Sequence, residues 1–200
     1  MVLPSACGCP QTKKRLRSKS GRSGRLVFVK VRHEVRRHVP HESGSGGEPA
    51  AGDLALTEFH DIVYREARRP GDVEPPPQRA ATGVAWQREI VPDDVLLFRY
   101  SALTFNGHRI HYDRKYVTEV EGYPGLIVHG PLIATLLMDL VRRNQPAADV
   151  ATFRFKAVRP TFDLNPFRVN GQLQDDGKTI RLWAQDHEGW LTMDAVATLR

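Results

Sequence analysis

The segment GPLIATLLMDLVRRN, residues 130–144, restricts the fold of this chain more than any other stretch. Its large apolar residues recur at i, i+1, i+4, i+5, i+8 and i+9, a period that predicts a helix with a broad buried face. These residues are Leu132, Ile133, Leu136, Leu137, Leu140 and Val141. Pro131 is tolerated in the first turn of such a helix, and Pro146 prevents its continuation. The rest of the domain therefore has to cover this helix.

Four strand candidates follow the helix, with turn signals between them. Their sequences are FRFKAV, FRVNGQL, TIRLWAQD and LTMDAVATL, and the turns contain NP, DDGK and HEG. Upstream, AWQREI predicts a short strand, and PDDVLLFRYSAL predicts a short helix because Pro92 and two aspartates are favoured at a helix start. One buried helix before an antiparallel meander predicts an α+β fold in which a curved sheet wraps around the helix.

The positive charge of the chain is concentrated near its N-terminus. The net charge is +6, yet residues 1–33 contain nine Lys or Arg and no acidic residue, and the remainder has 20 basic against 23 acidic residues. We predict that residues 1–24 form a basic, disordered arm, because Gly and Ser are frequent there and aromatic residues are absent. The alternative is that the arm contacts nucleic acid or an anionic surface. We do not expect nucleic acid to be the main partner.

Several features bear on the compartment. No apolar run approaches the ~20 residues that cross a bilayer, so we expect no membrane-spanning helix. The two cysteines, Cys7 and Cys9, have the spacing of neither a disulfide framework nor a zinc site, which favours a reducing environment. No apolar core follows the N-terminal charges, and prolines and glycines interrupt an amphipathic presequence. We expect a cytoplasmic protein, with the mitochondrial matrix as the alternative.

The composition divides the chain into four parts. After the arm, residues 25–68 contain two strand candidates, RLVFVKVRHEV and LALTEFHDIVYRE, joined by a Gly/Ser/Pro-rich loop. Residues 69–83 form a linker whose three consecutive prolines exclude a helix. Residues 84–200 form the complete domain. The two N-terminal strands also resemble the last two strands of that domain, which predicts a partial second copy of the same fold.

Two short motifs contain residues suited to catalysis. In FNGHRIH, a histidine such as His111 can take and return a proton near neutral pH, and the Asn106 amide can orient a water molecule. In VHGPL, a glycine opens the buried helix, where unpaired amides and the helix dipole can hold a developing oxyanion. Ordinary interpretations stay open: a surface loop with hydrogen-bonded histidines, and a Gly-Pro pair that only starts a helix. Histidines 108, 111 and 129 have no familiar metal-ligand spacing, so we predict no metal site.

The order and separation of these motifs, TFNGHRIHYD…GYPGLIVHGPLIATLL, resemble the MaoC-like hydratases and dehydratases of the hotdog fold, and most closely the mesaconyl-CoA and itaconyl-CoA hydratase branch. The resemblance covers about residues 84–200, with weaker likeness over about 21–77. It implies that His111 is the acid-base residue, that Asn106 takes the place of the usual aspartate and positions water, and that the Gly130 amide holds the thioester oxygen. The common loop, D-x-N-P-x-H, differs here at Asn106, His108 and Arg109.

The resemblance implies a hydro-lyase that adds water to a 2-enoyl-CoA thioester or removes it, with a short branched or dicarboxylic acyl group. The expected substrate-binding residues are Arg99, Arg109, His108 and His129. No cofactor is expected beyond the CoA of the substrate, and a homodimer formed through the sheet is expected. Two alternatives remain: a hotdog acyl-CoA thioesterase, and a truncated non-catalytic relative whose basic arm binds a partner.

Overall fold

The computed structural model describes residues 11–21, 24–37, 52–65 and 76–200. The chain divides into two compact units, residues 1–74 and 75–200, so that the boundary falls within the predicted linker 69–83. In the first unit the strands are β1 (Gln11–Gly21), β2 (Gly24–Arg36) and β3 (Leu54–Arg65). In the second unit the strands are β4 (Trp86–Ile90), β5 (Val150–Ala157), β6 (Phe167–Leu173), β7 (Thr179–Gln185) and β8 (Leu191–Leu199). Its helices are α1 (Asp94–Leu103), α2 (Arg114–Glu119) and α3 (Gly130–Asn144), with a 3₁₀ turn at Arg109–His111.

The second unit is an antiparallel five-stranded sheet, in the order β4-β6-β7-β8-β5, with α3 packed against it. The apolar face of α3 is buried together with the inward side chains of β6, β7 and β8. This arrangement confirms the predicted α+β fold, and α3 has the bounds expected from the periodicity. The six-residue helix α2 had no counterpart in the sequence prediction.

Gly171 of β6 lies close to side chains of the two strands beside it and of α3. The Cβ of an alanine there would lie 2.9 Å from Leu182 Cδ2 on β7 and 3.0 Å from Trp86 Cε3 on β4, with Leu140 of α3 at 3.5 Å. A residue without a side chain is therefore needed where three elements meet.

The first unit is a three-stranded antiparallel sheet in the order β1-β2-β3. Strand β1 lies within segment 1–24, for which the sequence predicted a disordered arm, and that prediction is wrong for residues 11–21. The physical reason is pairing: every residue of β1 has a partner in β2, and Leu16 lies opposite Val29 on an apolar face. Residues 1–10 and 22–23 are outside the described part of the chain.

The second copy of the domain stays a prediction, since segments 38–51 and 66–75 are outside the described residues. Among the helices that the structure describes, none has both the length and the apolar character needed to cross a membrane.

Substituting Gly171→Ala is expected to lower the free energy of unfolding by about 1–3 kcal/mol, because the added methyl group overlaps side chains of neighbouring elements. Gly107→Ala is the matched control, since an added Cβ there has no heavy atom within 4 Å. Urea unfolding of both variants measures the difference. Equal stability of the two variants would contradict the close approach at Gly171.

Candidate active site

Asn106 is fixed in a turn directly after α1. Its backbone N–H donates to the carbonyl of Ser101 (2.9 Å), and its side-chain Oδ1 accepts a hydrogen bond from the backbone N–H of His108 (3.0 Å). Phe105, just before it, has a φ of 52°, in the left-handed region that non-glycine residues rarely adopt. The bond to Oδ1 fixes the orientation of the side-chain amide, whose Nδ2 group can donate a hydrogen bond to a ligand or water.

His111 is oriented by the backbone of the segment that leads into α3. Its Nδ1 lies 2.6 Å from the carbonyl oxygen of Ile127, and the backbone N–H of Ile127 donates to the carbonyl of Ile110 (3.0 Å). A carbonyl oxygen can only accept, so Nδ1 carries the proton and donates it. The Nε2 atom of neutral His111 therefore has the free lone pair that a general base needs.

His129 lies against His111 at the start of α3. The two imidazole rings are stacked, with centroids 3.9 Å apart and an angle of 18° between the planes. His129 is fully buried, its Nε2 lies 2.8 Å from Ser101 Oγ, and Tyr100 contacts it edge-on at 4.9 Å. Its Nδ1 atom is buried and has no hydrogen-bond partner among the described residues.

Burial lowers the pKa of both stacked histidines. For His111 the loss of hydration is the main cause, and His108 lowers the pKa further, while the hydrogen bond to Ile127 opposes the shift. For His129, burial followed by the effect of His111 lowers the pKa from the ordinary 6.5 to about 4. Near pH 7 both rings are therefore neutral, and His111 is available as a base.

Gly130 directly follows His129 and is the first residue of α3. The N–H groups of the first helical turn have no carbonyl partner within the helix, so the Gly130 amide is a donor that α3 itself does not use. An added Cβ at Gly130 would meet only Met193 Cε, at 3.9 Å, which is an ordinary contact. Within the described structure, packing therefore does not require glycine at this position.

The predicted substrate-binding residues have different surroundings. The Arg109 guanidinium donates to Asp113 Oδ2 at 2.7 and 3.0 Å and lies over the Tyr116 ring, so it already has a carboxylate partner. Arg99 is exposed on α1, whose buried residues are Leu97 and Ser101. His108 is also exposed, and its ring meets the edge of the His111 ring at 5.6 Å.

Sequence reasoning missed Ser101 and Ile127 as parts of the site. Ser101 is the last buried position of α1 and was interpreted only as a helix residue. The signal available was its spacing of four from Leu97, which places both on the buried face of α1. The Ile127 carbonyl gave no signal, because any residue type presents the same backbone oxygen.

The chain is similar to known hydratases and dehydratases. Residues 5–163 match the family described as hydroxyacyl-thioester dehydratase type 2 (Htd2). Over 181 residues the chain is 43% identical to the mesaconyl-C(4)-CoA hydratase of Chloroflexus aurantiacus. That alignment covers 90% of this chain but 59% of the relative, so the chain spans less than two thirds of the relative's length.

Solved structures extend the comparison to the fold. A MaoC-like dehydratase from Phytophthora capsici superposes with a TM-score of 0.61 at 13% identity, over 96% of this chain and 64% of that one. An (R)-hydratase from A. caviae involved in PHA biosynthesis superposes with a TM-score of 0.51 at 18% identity, over 66% of this chain and 98% of that one. At these identities the likeness concerns the fold, and it confirms the predicted hotdog fold.

The buried, neutral His129 makes stability depend on pH. Its folded-state pKa of about 4 lies below the ordinary 6.5, so the unfolded chain takes up a proton at higher pH than the folded protein does. The stabilisation is complete above about pH 6.5 and is lost as the pH falls toward 4. Between pH 6.5 and pH 4 the free energy of unfolding of wild type should fall by up to roughly 3 kcal/mol more than that of His129→Asn, at about 1.4 kcal/mol per pH unit.

Urea unfolding at pH 7, 6, 5 and 4 measures how steeply the free energy of unfolding depends on pH in each protein. This slope is unaffected by any destabilisation that the substitution causes equally at every pH. His187→Asn, at an exposed position, is the control and should keep the wild-type slope. Parallel curves for wild type and His129→Asn would show that His129 is not held neutral.

Proposed function

The chain belongs to the hydroxyacyl-thioester dehydratase type 2 family, and from this premise we propose that it adds water to a 2-enoyl thioester or removes water from the corresponding hydroxyacyl thioester. The observation that carries the proposal is the arrangement of His111 and Gly130. The hydrogen bond to the Ile127 carbonyl leaves the Nε2 atom of His111 available as a base. The His111 ring stacks on His129, the residue directly before Gly130.

The proposed hydration begins at His111. Its Nε2 takes a proton from a water molecule, and the water oxygen forms a bond to the β-carbon of the enoyl group. Asn106 donates a hydrogen bond to this water from its Nδ2 amide, which the bond from the His108 N–H to Oδ1 keeps in place. Asparagine cannot exchange a proton at this pH, so the acid-base work falls to His111.

The electron pair of the C=C bond moves toward the thioester oxygen as the water attacks. The Gly130 N–H donates to that oxygen, and the positive end of the α3 dipole stabilises the charge. The proton on His111 then transfers to the α-carbon, which restores the neutral imidazole and the thioester carbonyl. Dehydration follows the same steps in reverse.

For the substrate we propose a short branched or dicarboxylic acyl-CoA of the mesaconyl type. The support is the 43% identity with the mesaconyl-C(4)-CoA hydratase, which this chain matches over 90% of its own length. A free carboxylate on the acyl group needs a cationic partner. Arg109 is held by Asp113, so exposed Arg99 and His108, which borders His111, are the candidates for this contact.

We further propose a homodimer in the cytoplasm. Strand β5 is at the edge of the five-stranded sheet, where its backbone can pair with another strand, and Phe155 on it is half exposed. The compartment is proposed from the bacterial origin of the mesaconyl-C(4)-CoA hydratase.

The proposed function is tested by offering mesaconyl-CoA, itaconyl-CoA and crotonyl-CoA and following the enoyl-thioester absorbance while free CoA is assayed in parallel. We expect absorbance to fall without release of CoA. In His111→Ala we expect kcat to drop by ~10²–10⁴-fold, the range typical of losing a general acid-base residue.

His187→Ala is the control, because it removes an exposed imidazole from the turn between β7 and β8 and leaves the His111–Ile127 bond in place. It should retain most of the wild-type kcat. Release of CoA would identify a thioesterase instead. If wild type changes neither the enoyl-thioester absorbance nor the amount of free CoA, the proposed mechanism is overturned. Near-normal turnover by His111→Ala would overturn it as well.

Substituting Gly130→Ala tests the role of the amide. An added methyl group fits the protein, since its only neighbour within 4 Å is Met193 Cε, so Tm should stay near that of wild type. It would, however, occupy space that the thioester oxygen needs, and kcat/KM should fall by on the order of 10–100-fold. Full activity with unchanged Tm would remove Gly130 from the site.

A further inference from the structure

The three-stranded sheet of the first unit has two chemically different faces. Residues that are directly opposite one another in paired strands share a face. One face has Leu16, Val29 and Ile62 in register across β1, β2 and β3. On the other face Arg15 is opposite Lys30, which is in turn opposite Asp61. The second face also has Arg17 opposite Phe28, so this charged face combines basic side chains with an aromatic ring.

The charged face contains a cavity of about 300 Å³. It is lined by Arg15, Arg17, Phe28, Lys30 and Asp61. This volume is at the lower end of the range for small-molecule sites, about 300–1,000 Å³. The cavity has three cationic side chains against one carboxylate, so its charge favours an anion.

The two arginines are the groups suited to holding that anion. Asp61 pairs with Lys30 at 3.4 Å, and the other ion pairs in the described part of this sheet involve Arg32, Arg36 and Glu34. Neither Arg15 nor Arg17 has a carboxylate partner among the described residues, and both side chains are exposed. Two residues apart on one strand, they are about 7 Å from each other, a spacing that suits two phosphate groups. A guanidinium group can donate two parallel hydrogen bonds to the oxygens of one phosphate.

Phe28 adds an aromatic ring to the cavity. It lies opposite Arg17 in the pairing of β1 with β2, and its side chain is partly buried. An aromatic ring beside phosphate-binding cations is the combination that holds a nucleotide, because the ring packs against the planar base. A strand of nucleic acid uses an extended groove with several such rings, whereas a cavity of this volume holds about one nucleotide.

We propose that this cavity binds the phosphate groups and base of a nucleotide. Arg15 and Arg17 hold the phosphates, Phe28 contacts the base, and Asp61 limits the affinity by neutralising Lys30. The nucleotide is a free ligand. The proposal goes beyond the hydratase function and does not depend on it, because binding can be measured without turnover.

The test is isothermal titration calorimetry of the full chain with ADP and with adenosine 3′,5′-bisphosphate. We expect wild type to bind both, and the double variant Arg15→Ala/Arg17→Ala to bind at least tenfold more weakly. Arg181→Ala, which removes an exposed arginine from β7 in the second unit, is the matched control and should bind like wild type.

Asp61→Asn gives a result that damage to the fold cannot imitate. Removing the carboxylate frees Lys30, so we expect nucleotide affinity to rise several-fold. No heat from wild type at millimolar nucleotide, unchanged binding in the double arginine variant, or weaker binding in Asp61→Asn would each overturn the proposal.

Discussion

The packing of α3 against the five-stranded sheet is the constraint on which the rest of the second unit depends. It buries one face of the helix and fixes the position of its first turn, where His129 and Gly130 lie. His111 reaches that turn in two ways, by a hydrogen bond to the Ile127 carbonyl and by stacking on His129. The candidate site therefore forms where one loop packs against the start of α3. A shift of α3 along the sheet would separate its residues.

Much of this fold could be predicted because its signals are local. The apolar period of α3 can be recognised within one segment of sequence. The same holds for the strands around TIRLWAQD and LTMDAVATL. The failure at β1 has a physical cause: its basic composition favours disorder in isolation, whereas strand pairing with β2 is a long-range effect. Helix α2 was missed because six residues are too few to show a helical period.

The candidate site was proposed from residue type. His111, Asn106 and Gly130 were predicted because each has a side chain, or lacks one, in a way that suits a stated chemical role. The bond from His111 to Ile127 could not be found, since it uses a backbone carbonyl that every residue has. The partnership of Ser101 with His129 spans 28 residues and depends on how α1 packs beside α3, which no local pattern specifies.

The stacked histidines also bear on why one residue would perform both proton transfers in the proposed reaction. Burial and the neighbouring His108 lower the pKa of His111, so at neutral pH the ring is in its basic form. Once it has taken a proton from water, the same environment makes the imidazolium a stronger acid, since the charge is poorly hydrated and lies against the ring of His129. The proton is then driven toward the α-carbon, where charge is accumulating. A histidine with an ordinary pKa would be a weaker acid in this second step, so the buried stack favours return of the proton by the group that removed it.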